Sequence, residues 1–213
     1  MAITYDNIYR GCLIASIAHA IMTNVYPELC YEQSWDNKNY SIQDIAGMRG
    51  TISFSNEICV GAIRNENVSP INQTKLNQIL SYEVPQYVRQ LASQETLQYL
   101  LIKEGNLVFP SVSCIFWADH VSLYYPKGYY SRLENDFILF RRIVLPEAQA
   151  IEEWRTYYDM DDHAVALLHS LLEKKALDDK KAIILSKEQQ KLIPGGVICK
   201  ECSDAFREMN IIC

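Results

Sequence analysis

Between residues 8 and 22 the apolar positions fall at Ile8, Cys12, Ile14, Ala15, Ala18 and Ile21-Met22. That is helical spacing on a largely apolar segment, and it predicts a buried N-terminal helix stopped by Asn24 and Pro27. Residues 31–41 are polar and aromatic. Thr51-Ile52-Ser53-Phe54 and the apolar run from Ile58 to Ile63 read as two strands of a hairpin around Ser55-Asn56-Glu57. Gly61 inside the second strand marks a bulge or a close packing contact. Helical texture returns over 71–104, with Ile71, Leu76, Ile79-Leu80, Val88, Leu91, Leu97 and Leu100-Leu101, divided at Pro85 and ended by Gly105. Strands follow at about 107–116, 120–125 and 137–145, with an aromatic turn at Tyr124-Tyr125-Pro126-Lys127-Gly128-Tyr129-Tyr130.

After Pro146 the pattern becomes helical and more charged. Helices are expected at about 147–158 and 162–176. A short one starts near 187, where Ser186-Lys187-Glu188-Gln189 has the capping-box pattern, and a last one covers about 200–209. The expected fold class is α+β: a mostly antiparallel sheet with an N-terminal helix and a helical C-terminal section packed on it. The expected organisation is an α+β body over 1–145 with a helical section over 146–213 docked on it as one compact unit.

Composition narrows the function classes. The chain has 213 residues, 49% hydrophobic and 22% charged, which is ordinary for a globular protein. Its 20 basic and 26 acidic side chains leave a net charge of −6. Phosphate contacts need a basic surface, so direct nucleic-acid binding is not expected. Residues 1–145 hold 11 basic and 13 acidic groups, and residues 146–213 hold 9 and 13, so the C-terminal third carries most of the net charge. The apolar stretch from Gly11 to Met22 is too short to span a bilayer, and the opening residues lack the pattern of an export signal. Those features predict a cytoplasmic protein without membrane contact.

Seven cysteines, at 12, 30, 59, 114, 199, 202 and 213, are odd in number and scattered, which argues against a disulfide framework. Cys199-Lys200-Glu201-Cys202 is a lone C-x-x-C without a second ligand pair. A structural role is expected for it, with metal binding and redox chemistry as the alternatives. Asp159-Met160-Asp161-Asp162-His163 with His169 offers metal-ligating types, but their spacing better suits Asp161 and Asp162 capping a new helix. No nucleotide-cradling glycine motif and no G-x-S-x-G occurs. No cofactor and no metal is expected.

One pair of segments suggests catalysis. Cys12 lies near the start of the apolar helix in Arg10-Gly11-Cys12-Leu13-Ile14, and His120 opens a strand in Asp119-His120-Val121-Ser122. A helix N-terminus favours a thiolate. The pair loosely resembles the papain-like cell-wall cysteine peptidases, and that resemblance implies a thiol hydrolase using Cys12 and His120. In this chain Leu13-Ile14 stands where that family has Ser-Gly.

The favoured expectation is a binding surface. Glu147, Glu152, Glu153, Asp159, Asp161 and Asp162 lie between residues 147 and 162 with only Arg155 against them, interleaved with Trp154, Tyr157 and Tyr158. A second acidic-aromatic cluster holds Tyr31, Glu32, Trp35, Asp36 and Tyr40. Aromatic rings dominate interface hot spots, and acidic rims speed encounter with a basic partner. In size, charge and texture the chain resembles the immunity proteins paired with bacterial toxins. The resemblance implies a non-catalytic bacterial inhibitor that neutralises a toxin or another basic protein partner.

Overall fold

The computed structural model describes residues 3–178 and 181–213. In chain order the elements are helix α1 (Tyr5–Met22), strands β1 (Gln33–Asp36), β2 (Asn39–Gln43), β3 (Met48–Phe54) and β4 (Cys59–Asn65), and helices α2 (Gln73–Gln78) and α3 (Gln86–Gln94). Strands β5 (Leu101–Glu104), β6 (Leu107–Pro110), β7 (Cys114–Ala118) and β8 (Leu123–Tyr124) precede helices α4 (Tyr130–Asp136), α5 (Glu147–Tyr158) and α6 (Asp162–Leu177). Strand β9 (Ile183–Ile184), helices α7 (Lys187–Gln190) and α8 (Lys200–Glu208), and strand β10 (Ile211–Ile212) complete the chain. The fold class is α+β, with a mostly antiparallel sheet, an N-terminal helix and C-terminal helices.

The chain groups into two compact units, the residues up to Ile8 with Lys38–Arg141, and Tyr9–Asn37 with Arg142–Cys213. Residues 9–37, assigned from sequence to the 1–145 body, group with the C-terminal helices instead.

In the first unit β2, β3, β4, β7 and β8 hydrogen-bond in that order, each pair antiparallel. Strands β4 and β7 are apolar almost throughout because both of their faces are covered. Val60, Ala62, Ile115 and Trp117 share one face and pack with Leu76, Ile79, Val88, Leu91 and Ala92 from the α2–α3 segment. On the opposite face Phe116 meets Phe137 and Phe140 edge-on, with ring centroids 5.3 and 5.7 Å away. Gly61 lies opposite Phe116 in the register, and a Cβ there would stand 2.0 Å from the ring. The glycine is therefore the packing contact that its place in the strand suggested.

Two apolar segments fold otherwise than their sequence suggests. Phe137–Ile143 is a 3-10 helix rather than a strand. Its three-residue turn puts Phe137 and Phe140 on the same side, which lets both rings reach Phe116. A short apolar run carries no periodicity that separates these outcomes. Leu101–Glu104 leaves the expected helix and pairs with β6, and Gly105 turns the hairpin at φ +60° instead of closing a helix. Residues 31–41 also hold strand backbone, in β1 and β2.

The second unit is mainly helical. Helices α5, α6 and α8 lie within two residues of their expected limits, and Ser186 forms the capping box with Gln189. Strands β9 and β10 form a parallel pair. The Trp35 indole donates to Ser16 Oγ at 2.7 Å, and the Trp35 backbone N–H donates to Glu208 at 2.8 Å. Among the described residues no helix is long and apolar enough to cross a membrane.

The Gly61–Phe116 contact sets a test of this packing. Phe116 is fully buried and has no room to move aside. Gly61→Ala should lower unfolding stability in urea by about 1–3 kcal/mol, the usual cost of an overpacked core, with the m-value unchanged.

Candidate functional site

The two acidic-aromatic clusters separate into core and surface. Tyr40, Trp154 and Tyr158 are 0%, 2% and 2% exposed, so these rings are core and offer no area to a partner. Trp35 is half-buried through its indole bond to Ser16. Tyr31 and Tyr157 remain exposed, at 52% and 43%. Helix periodicity explains the split along α5: Ile151, Trp154 and Tyr158 fall at i, i+3 and i+7 on the buried face, and Tyr157 falls beside it.

Most of the acids have local roles. Glu147 receives Arg10 through two bonds, at 2.9 and 3.1 Å, and Arg10 depresses the Glu147 carboxyl below its usual range. Glu153 lies 3.7 Å from Arg142. Asp161 caps α6 by accepting the Ala164 N–H at 2.8 Å, and Asp162 pairs with Arg155 at 2.8 Å. Asp159 ends α5 in the left-handed conformation, at φ 52°. Glu152 and Asp159 are exposed, and no cation among the described residues pairs with either; Asp36 is exposed as well. Asp159 thus terminates α5, and Asp161 and Asp162 start α6. Among the described residues no group of three or more His, Cys, Asp or Glu side chains is placed to hold a metal.

Beneath the exposed Tyr157 ring lies a polar cluster that sequence reasoning missed. Tyr157 Oη donates to the buried Glu32 carboxyl, 3.1 Å from each oxygen. The Arg142 guanidinium stacks over Tyr157 at 4.4 Å and over Trp154 at 5.1 Å. Tyr158 Oη lies 2.9 Å from His19 Nδ1 and 3.5 Å from Glu32, and it accepts from Gln33 at 3.3 Å. Burial lowers His19 to about 4, with the Cys30 carbonyl opposing, so the imidazole is neutral at pH 7. Burial and the Glu32 charge raise the Tyr158 phenol. Glu32, Tyr157 and Tyr158 were visible as parts of two separate acidic-aromatic stretches, but local spacing did not bring them together or add His19, Gln33 and Arg142.

Cys12 and His120 belong to different units. Helix α1 begins at Tyr5, where Thr4 and Asn7 exchange side chain–backbone bonds at 3.2 and 3.4 Å. Cys12 is therefore two turns inside the helix and fully buried, away from the N-terminal dipole and from any substrate. His120 is exposed, lies 3.0 Å from Asp6, and stacks at 4.8 Å on Tyr5. The Asp6 hydrogen bond raises the His120 pKa, favouring the protonated form over a base. In the C-x-x-C, Cys199 caps α8 and its sulfur receives the Cys202 N–H at 3.4 Å. Both thiols are free, and residues 197–199 form no strand.

Comparison with protein-family models, with curated proteins and with solved structures gives no match.

Two titrations check this chemistry. His19 has a lower pKa folded than unfolded, so between pH 6.5 and about 4 the unfolded chain binds the extra proton and stability falls as pH drops. The loss should reach about 3 kcal/mol, and the same acid scan of His19→Gln should lack that component. His120 has the opposite sign: its pairing with Asp6 is intact at low pH and is lost as pH rises through the raised pKa. In NMR titration, Asp6→Asn should bring the His120 pKa down.

Proposed function

We propose that the protein is a non-catalytic binding protein that docks a basic protein partner on the exposed face of α5 and acts as its inhibitor. A toxin of the kind neutralised by immunity proteins fits this reading. The observation that carries it is Tyr157, whose ring is exposed while its hydroxyl is fixed on Glu32 and its face is covered by Arg142. A ring immobilised before binding loses little entropy on binding. Glu152, Arg155 and Asp159 follow at i, i+3 and i+7 along the same helix, and Asp162 neutralises Arg155. The helix thus presents two uncompensated carboxylates on one flank and the anchored Tyr157 ring on the other, five residues and so about 140° around from Glu152, with Tyr31 next in sequence to Glu32. Such a surface suits a basic rim around an apolar pocket. The full burial of Cys12 favours this reading over hydrolysis.

The reading is tested by immobilising the wild-type chain and a Glu152→Lys/Asp159→Lys double variant in a lysate of the native source. A basic protein should be retained by the wild type, released by raised salt, and bound about tenfold more weakly by the variant, equivalent to ~1.4 kcal/mol. Identical retention by both proteins, unaffected by salt, overturns it.

A further inference from the structure

A second surface feature lies wholly within the sheet-containing unit. Where β7 meets β8, an open cleft of about 710 Å³ is lined by Trp117, Tyr124, Tyr125, Lys75, Glu83 and Lys127. That volume lies within the roughly 300–1,000 Å³ of small-molecule sites. The wall is fixed before any ligand arrives. Trp117 and Tyr124 are paired in the register, and their rings stack with centroids 5.9 Å apart and planes 14° apart. The Tyr124 hydroxyl is tied to Asp119 at 3.1 Å, and that carboxylate also accepts the Val121 and Ser122 N–H groups at 2.8 Å each. On the other side Glu83 accepts Lys75 Nζ at 3.1 Å and the Lys127 backbone N–H at 3.2 Å.

Two donors in this cleft are left without a protein acceptor. Lys75 neutralises Glu83, which leaves the ammonium of Lys127 without an anionic partner among the described residues. The Trp117 indole N–H bonds to no described protein group and, unlike that of Trp154, is not among the buried donors without a partner, so it is open to solvent. Both groups are donors without an acceptor among the described residues. The lining side chains themselves are two lysines and one glutamate, with the Asp119 carboxylate behind Tyr124, so in a protein with a net charge of −6 Lys127 offers an ammonium not yet ion-paired in a ring-lined cleft. Its complement is a group that only accepts hydrogen bonds and carries negative charge, joined to a flat apolar ring.

We propose that this cleft binds a small aromatic anion, its ring against the Tyr124–Tyr125 wall and its carboxylate or phosphate held by Lys127 and the Trp117 N–H. This site is separate from the α5 face and does not depend on it.

The test uses the intact chain labelled with nitrogen-15 and three probes: adenosine 5′-monophosphate, 4-hydroxybenzoate and neutral adenosine. At least one anion should saturate with a Kd of about 1 mM or tighter. It should move the Trp117 indole N–H signal while those of Trp35 and Trp154 stay in place. Adenosine should bind at least tenfold more weakly than its monophosphate if the phosphate is the acid recognised. Lys127→Glu and Tyr125→Ala alter exposed side chains, so both should keep the wild-type pattern of dispersed signals and weaken the bound anion at least tenfold. Failure of both anions to move the Trp117 signal overturns the proposal. So does binding that survives Lys127→Glu undiminished.

Discussion

Strands β4 and β7 are covered on both faces, and that double burial governs the sheet-containing unit. A strand in this position must be apolar at every residue, and it must also fit two unlike surfaces at once. Val60, Ala62, Ile115 and Trp117 meet helices on one face. Gly61 and Phe116 meet aromatic rings on the other, where the absence of a side chain at 61 admits the ring of 116. Close packing leaves no slack for a larger residue, so the 3-10 segment that brings Phe137 and Phe140 follows from the space that remains.

The same constraint reaches the surface through Trp117. Its ring belongs to the helix-covered face of the core and also lines the cleft beside Tyr124. A rigid core thereby fixes an indole donor at a solvent boundary. In the helical unit Glu32 plays a comparable part. It is a buried carboxyl that holds Tyr157 from beneath while the ring stays exposed. In each case an aromatic group is immobilised by packing on one side and left available on the other, which is the arrangement binding surfaces favour.

Some of the candidate surface was legible in the chain. The acids of residues 147–162 were correctly placed on and after a helix, and Tyr31 and Tyr157 are exposed. The roles of Tyr40, Trp154 and Tyr158 were not legible, because a tyrosine or tryptophan suits core and surface equally well. Nor was the pairing of carboxylates with distant cations. Glu147 meets Arg10, and Glu153 lies near Arg142. These contacts join residues far apart in sequence, and local spacing contains no record of them. The aromatic turn after β8 was visible as a string of tyrosines, but nothing in that string placed it beside Trp117, Lys75 and Glu83.

Sequence by itself determined what local physics controls. The apolar helix α1, the limits of α5, α6 and α8, the cap at Ser186 and the β3–β4 hairpin all follow from periodicity and from side chains that satisfy nearby backbone groups. Only the tertiary structure decided the state of short apolar runs such as 101–104 and 137–143, the grouping of residues 9–37 with the C-terminal helices, and the depth of each ring and thiol. Those outcomes depend on which distant surface a segment is pressed against. Burial is a property of the assembled contacts, and the order of residues along the chain does not contain it.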